Sequence, residues 1–313
     1  MRFGIAALIA GFLLDLLLGD PEWLYHPVRL IGKFISFMEK RLRARGGNLR
    51  RSAVLLTAST VLLTMACTAL ILWLLQLAGR IPLFIGLALM NWMGISVRCM
   101  AKEAINVRKA LDRGIEPARK QVSRIVGRDT QNLDEEEIVK AAVETVAENT
   151  TDGVISPLLF ALLGGPVLLW GYKAANTLDS MVGYMDERYR DIGWSSAKLD
   201  DLLNYIPARL TAVLMVCAAF ITGMDGKNAM RIIRRDHANH SSPNSAWSEA
   251  AAAGALHIRL GGTHEYFGKP VEKPTIGDAD RPAAKHDIRL AVLLLYVTGF
   301  LMIALIALAG ILI

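Results

Sequence analysis

The chain has 313 residues, 53% of them hydrophobic, and a mean hydropathy of +0.36. Soluble domains sit near about 45–50% apolar, but here the apolar residues gather into long uncharged runs, which excludes an ordinary soluble domain. The net charge of +6 lies beside those runs with no aromatic-interleaved basic stripe, so it marks membrane loops and excludes nucleic acid as a partner.

In chain order, Phe3–Leu18 is apolar except for Asp15 and predicts a first span. Arg2 before it imitates a signal peptide, but the run enters Gly-Asp-Pro-Glu-Trp with no small-residue cleavage site, so the segment is expected to be retained. An ionisable group such as Asp15 inside an apolar segment is costly and faces an interior or a cavity. Asp20, His26 and Arg29 follow on a Gly/Pro-shaped turn, and Asp20 and His26 are candidate substrate-binding residues. Trp23, Tyr25 and Arg29 also fit a plain interfacial anchor.

Ala53–Ala78 and Ile81–Val97 are the next apolar runs, of 26 and 17 residues. Roughly 20 apolar residues cross a bilayer core as a helix. Arg98–Asp152 begins with nine basic and three acidic residues up to Arg128, among them the basic run Arg119, Lys120, Arg124 and Arg128, with Arg124 and Arg128 expected on one helix face. Phosphate binding, lipid headgroups and bare topology all account for such a run. Asp134 and Glu137 have capping-box spacing at the head of a helix whose apolar stripe is Ile138, Val139, Ala142, Val143 and Val146.

That helix carries Glu144 and Glu148 four apart on one face, and Asp152 continues the face if the helix persists. Like charges so spaced repel by about 0.2–0.5 kcal/mol per pair, which a bound cation would relieve. Carboxylates beside Asn149 and Thr150 suit Mg²⁺, so Glu144, Glu148 and Asp152 are candidate metal ligands and Asn149 a binding residue. The plain alternative is a solvated acidic face balanced by Lys140.

Val154–Tyr172 is a fourth apolar run, broken by Gly164-Gly165-Pro166, which permits a broken or re-entrant helix. The side taken by Lys173–Tyr205 therefore stays open. In that segment Asn176, Asp179 and Ser180 share a helical face, with Asp179 a candidate metal ligand or base and Asn176 a binding candidate. A hydrophilic exit from the membrane explains them equally. Ile206–Gly223, with Arg209 near its start, is a fifth span.

Met224–Arg289 concentrates His237, His240, Asn244 and Glu249 in a Pro-containing loop before an Ala-rich helix. Asn244 or Ser245 would cap that helix, its free amides would suit an anion, and Trp247 would anchor it at the interface. Two histidines three apart with no cysteine nearby do not make a zinc site. Leu290–Ile313, 24 residues without a charge, closes the chain.

The resulting expectation is an all-α polytopic membrane protein, one domain over 1–313, with six spans near 3–18, 53–78, 81–97, 154–172, 206–223 and 290–313. The excess of Lys and Arg places the first three long polar segments in the cytoplasm, and the net acidic Lys173–Tyr205 and both termini outside, unless the Gly-Gly-Pro break returns that segment to the side of the others. No segment shows strand alternation, and Gly261–Pro282 reads as loose. The three cysteines form no CxxC pair. Walker, Rossmann, zincin and nucleophile-elbow signatures are absent.

Six ordered segments carry a resemblance: DLLLGDPEWLYHPVRLIGKFI, ARKQVSRIVGRDT, ETVAENTTDGVISPLLF, AANTLDSMVGY, LDDLLNYIPARLTA, and HSSPNSAWSEAAAAGALHIRLGG followed by Tyr266 and Gly268. Along nearly its whole length the chain resembles the adenosylcobinamide-phosphate synthase family of cobalamin biosynthesis, CbiB or CobD. One departure is His240-Ser241-Ser242-Pro243-Asn244, where the family often has a second proline. The resemblance implies a multi-pass enzyme of the cell membrane that joins a propionate carboxylate of adenosylcobyric acid to aminopropanol or its O-phosphate. It implies ATP as activating co-substrate, Mg²⁺, and a corrinoid substrate, with soluble pathway enzymes as partners. Under it, His240 or His237 would take a proton from the attacking ammonium, with Asp179 and Glu249 further catalytic candidates. Arg124, Arg128 and Asn244 would hold phosphate or corrin amides. A transporter of a corrinoid or other anion is the second reading, and a scaffold for soluble enzymes the third.

Overall fold

The structure is a computed structural model and describes residues 2–21, 23–266 and 269–312, with side chains of 264–271 left aside. Gly268, part of the last quoted segment, lies outside the described residues. The elements in order are α1 (Arg2–Leu18), α2 (Pro27–Arg45), α3 (Leu49–Leu77), α4 (Arg80–Gly94), α5 (Val97–Leu111), α6 (Ile115–Val122) and α7 (Glu135–Thr150). A π-helical turn (Thr151–Ile155) leads into α8 (Ser156–Val182), α9 (Trp194–Leu203), α10 (Tyr205–Ile221), α11 (Gly226–Asp236) and α12 (Ser245–Leu256). A hairpin of β1 (Leu260–Tyr266) and β2 (Lys269–Ile276) precedes α13 (Lys285–Leu312). The all-α polytopic expectation holds, with this one hairpin in the stretch read as loose.

Four helical stretches are long and apolar enough to cross a membrane, Leu49–Leu77, Arg80–Leu111, Glu135–Val182 and Lys285–Leu312. A fifth joins them if Trp194–Leu203 and Tyr205–Ile221 cross together. This is fewer than the six expected. At about 1.5 Å per residue, the 17 residues of α1 extend about 25 Å, short of a core about 30 Å thick.

The chain forms two compact units, the first comprising residues 1–96, 156–204 and 305–313, the second 97–155 and 205–304. In the first unit α1 runs parallel to α4: the Phe3 and Phe84 rings lie 5.4 Å apart, and Trp92 Nε1 donates to the Gly19 carbonyl at 3.0 Å. Asp15 is fully buried inside this unit, away from lipid, as its cost requires.

Within the same unit, α8 is not one straight span. Ser156 Oγ and Tyr172 Oη both donate to Asn204 Oδ1, at 2.7 and 3.1 Å, and the rings of Phe160 and Tyr172 stack at 5.1 Å. In a straight helix residues 156 and 172 would stand about 24 Å apart. The helix therefore folds back on itself at Gly164 and Gly165, whose backbone angles are non-helical. Apolar composition passes this stretch as a span, but its geometry is a re-entrant hairpin.

That hairpin decides the side of the polar segment after it. The Arg188 carbonyl accepts from Arg43 at 2.7 Å, Asp191 accepts from Arg50 at 3.1 Å, and Ser196 meets Thr57 at 2.9 Å in the interior. Residues 183–196 thus pack at the end of the unit that holds the basic segment Arg41–Arg51. A cysteine at Asp186, in a chain lacking the three native thiols, is expected to label from the same side as a cysteine at Gly46. Labelling from opposite sides would overturn the hairpin.

In the second unit α7 begins with the capping box expected of it, Glu137 N to Asp134 Oδ1 and Asp134 N to Glu137 Oε2, each 2.8 Å. The alanines of α12 are buried on every side. Their small size lets α11 approach until a Cβ on Gly254 would lie 2.6 Å from Ala229 Cα. Leu260 pairs with Ile276 and Gly262 with Lys273 in the hairpin, with a bulge between Leu260 and Gly262.

Candidate functional site

Five pieces of the second unit surround a cleft of about 170 Å³. Glu144, Thr145, Glu148 and Asn149 come from α7, and Glu249 from α12. Arg128 comes from the turn before α7, His240 from the loop before α12, and Gly261 and Lys273 from the hairpin. The i,i+4 spacing of Glu144 and Glu148 puts both on the cleft wall. α12 repeats the device: Ser245 Oγ donates to Glu148 Oε1 at 3.1 Å, and Glu249 stands one turn further along.

Glu144 is paired with Arg128, both side chains nearly buried, and its Oε1 accepts from the Gly261 amide at 2.8 Å. Glu249 is buried among these groups. Its burial, with the charges of Glu144 and Glu148, pushes its pKa well above the usual carboxylate value against Lys273 and Arg128. A neutral Glu249 leaves two carboxylates facing two cations, which is the balanced state of the cleft. Burial holds His240 below the ordinary histidine value, helped by Lys273 and opposed by Glu148 and Glu144.

The raised acid has a consequence for stability. The folded chain keeps a proton on Glu249 that the unfolded chain releases near the ordinary glutamate pKa. Glu249 therefore costs nothing below that pKa, and its penalty grows as pH rises toward the folded value. Glu249→Gln is expected to raise the melting temperature at pH 8 more than at pH 5. An equal shift at both, measured by thermal unfolding in detergent, would mean that Glu249 is ionised in the fold.

Of the sequence-predicted residues, Arg128, Glu144, Glu148, Asn149, His240 and Glu249 come together. Asp152 does not line the cleft, because the π-helical turn begins at Thr151 and rotates it off the α7 face. Among the described residues no three His, Cys, Asp or Glu side chains are grouped to hold a metal. Glu144 is already engaged by Arg128 and Gly261. The donor set expected for Mg²⁺ therefore does not fit a cage made of protein ligands.

Arg124 is displaced too. Helix α6 ends at Val122, so Arg124 and Arg128 share no helical face, and Arg124 pairs with Glu103 at 3.3 Å on an exposed groove. Asn244 sits at the N-cap of α12 without a side-chain cap bond, its Oδ1 accepting instead from Arg209 at 3.4 Å. Trp247 packs beneath Arg209 and beside His237, with ring centroids 4.5 Å apart, so it is an internal contact more than an interfacial anchor. His237 caps α11 and is not among the lining residues.

Four candidates belong to the first unit. His26 Nδ1 accepts from Val28 N at 3.2 Å and Nε2 donates to the Met93 carbonyl at 2.8 Å, which makes it the cap of α2. Burial lowers its pKa, and Asp20 opposes the shift. Asn176 donates to Asp200 Oδ1 at 3.3 Å, and Asp200 Oδ2 accepts from Asn204 at 3.0 Å. Asp179 lies in the last turns of α8, its backbone carbonyl accepting from Gly183 N at 2.8 Å. Sequence reasoning missed Lys273 and Asn204. The pair Gly261-Gly262 before THEY, and KPVEKPTI after it, held the only hairpin signal for Lys273.

Comparison with known proteins identifies the family. The profile described as CobD/Cbib protein matches residues 8–295. "Cobalamin biosynthesis protein CobD" of Geobacter metallireducens is 51% identical over 307 residues, 96% of this chain and 95% of that one. The protein of the same description from Clostridium perfringens is 51% identical over 286 residues, 90% of each chain, and that from Listeria monocytogenes 47% over 294, 92% of each. No solved structure matches. With a profile spanning most of the sequence and relatives near half identity along its length, the chain belongs to the CobD/CbiB family of cobalamin biosynthesis proteins.

Proposed function

We propose that the protein is a multi-pass ligase of the cell membrane. It forms the amide between a propionate carboxylate of adenosylcobyric acid and the nitrogen of aminopropanol or its O-phosphate, giving adenosylcobinamide or its phosphate. The observation that carries this reading is the convergence of Arg128, Lys273, Glu144, Glu148, Asn149 and His240 in one small cleft. Clefts for whole ligands of drug size run to about 300–1,000 Å³, so one of about 170 Å³ suits only the reacting ends. The corrin ring would stay outside.

A carboxylate does not accept an amine at neutral pH without activation, and ATP is the expected activator, giving an acyl phosphate. Arg128 and Lys273 would hold the anionic carboxyl and phosphoryl oxygens, with Glu144 fixing Arg128 in place, and Glu148 would hold the ammonium. Mg²⁺ would arrive with the nucleotide phosphates. Water exclusion matters because an acyl phosphate hydrolyses, and the small, partly enclosed cleft limits access.

The test is purified protein with adenosylcobyric acid, ATP and either amine, followed by mass analysis of the corrinoid. Amide product is expected, together with its loss by about 10²-fold or more in Glu148→Gln. The re-entrant hairpin and buried Asp15 are features that transporters also use. Uptake of unchanged corrinoid into sealed vesicles, with no product from either amine, would favour that second reading.

A further inference from the structure

His240 lines the cleft with Glu144, Glu148, Glu249 and Lys273. Its Nδ1 accepts a hydrogen bond from the backbone N–H of Ser242 at 3.0 Å. A backbone amide can only donate, so Nδ1 carries a lone pair, and in the neutral ring the hydrogen sits on Nε2. Burial and Lys273 keep the ring neutral near pH 7. Among the described residues no side chain or backbone group takes the Nε2–H.

His237 has the opposite arrangement. Its Nδ1 lies 3.0 Å from the Ile233 carbonyl, which can only accept, so Nδ1 bears the hydrogen, and in the neutral ring Nε2 carries the lone pair. That ring is the one with a basic nitrogen to spare, and it packs on Trp247 outside the cleft lining. The histidine in the cleft offers a donor, and the histidine with a free acceptor is elsewhere. Among the described residues Glu148 is the lining carboxylate that meets only a hydroxyl, Ser245 Oγ on Oε1. Glu144 is held by a cation and an amide.

We infer that His240 is a fixed hydrogen-bond donor to the developing oxyanion of the acyl group, and that the proton shed by the attacking ammonium passes to Glu148. This rests on the amide-forming reading. The ammonium gives one proton to the Glu148 carboxylate. The freed nitrogen pair forms the C–N bond at the acyl-phosphate carbon, and the carbonyl π pair moves onto oxygen, where the His240 Nε2–H meets it. That pair returns, the C–O bond to phosphate breaks, and phosphate leaves with the bonding electrons and the second nitrogen proton. Glu148 then releases its proton to water. A neutral imidazole acting as a donor at a carbonyl is known chemistry.

Two measurements on the full chain test it. In ¹⁵N-histidine spectra the signal lost in His240→Gln is expected to be that of a neutral ring protonated on Nε2 at pH 7. A ring protonated on Nδ1, or an imidazolium, overturns the inference, and this arm holds even if no amide is formed. In turnover, His240→Gln keeps a donor near the Nε2 position. It is expected to stay within about tenfold of wild type with the acid limb of its kcat/KM profile in place, whereas His240→Ala loses about 10²–10³-fold. If Gln is as poor as Ala and the acid limb flattens in both, His240 is the base and the assignment is wrong. If wild type makes no amide in the same assay, the amide-forming reading fails instead.

Discussion

Arg128→Ala is expected to abolish amide formation and to destabilise the folded chain by about 3–5 kcal/mol. The size follows from what is left behind. Glu144 is only 7% exposed, and after the change its charge faces the Gly261 amide, Glu148 and Glu249 with Lys273 as the remaining cation of the cleft. Taking both partners away is a different matter. Arg128→Met with Glu144→Leu removes the uncompensated charge and should recover most of the lost stability, while activity stays absent. Thermal unfolding and turnover of the single and double variants separate the two roles. An Arg128→Ala protein that melts and turns over like wild type would mean that the pair neither holds the cleft nor serves it.

The second large effect is expected at the tip of the re-entrant hairpin. Gly165 has φ 63° and ψ −161°, a conformation open essentially to glycine alone. A residue with a Cβ there costs about 1–3 kcal/mol, and a β-branched one more. In Gly165→Val the two arms of α8 can no longer close, so Phe160 loses Tyr172, and Asn204 cannot accept from Ser156 and Tyr172 together. The expected result is a low yield of monodisperse protein and a lowered melting temperature. Gly4→Ala, on a helix with nothing within 4 Å of the added carbon, should behave as wild type. Equal melting of Gly165→Val and wild type would refute the hairpin.

Much of the architecture was legible because helices are bonded within four residues, so a short window contains their cause. The uncharged runs at 53–78 and 290–313 locate α3 and α13, and Asp134 with Glu137 marks the head of α7 by the capping box that forms there. Glu144 and Glu148 were readable as neighbours for the same reason. Asp152 was not, since one π-helical turn changes the angle per residue without leaving a clear mark in composition. Arg124 failed because α6 stops at Val122, before the face it was assigned to.

By itself, then, the sequence determined the membrane character, the family, the helical segments and the acidic face of α7. Tertiary structure alone decided which groups meet that face. The Gly261 amide reaches Glu144 across 117 positions and Ser245 reaches Glu148 across 97. Tertiary structure also decided that α8 turns back. Such partners are chosen by how whole helices pack and by where buried polar groups find satisfaction, and no periodicity along the chain records that choice.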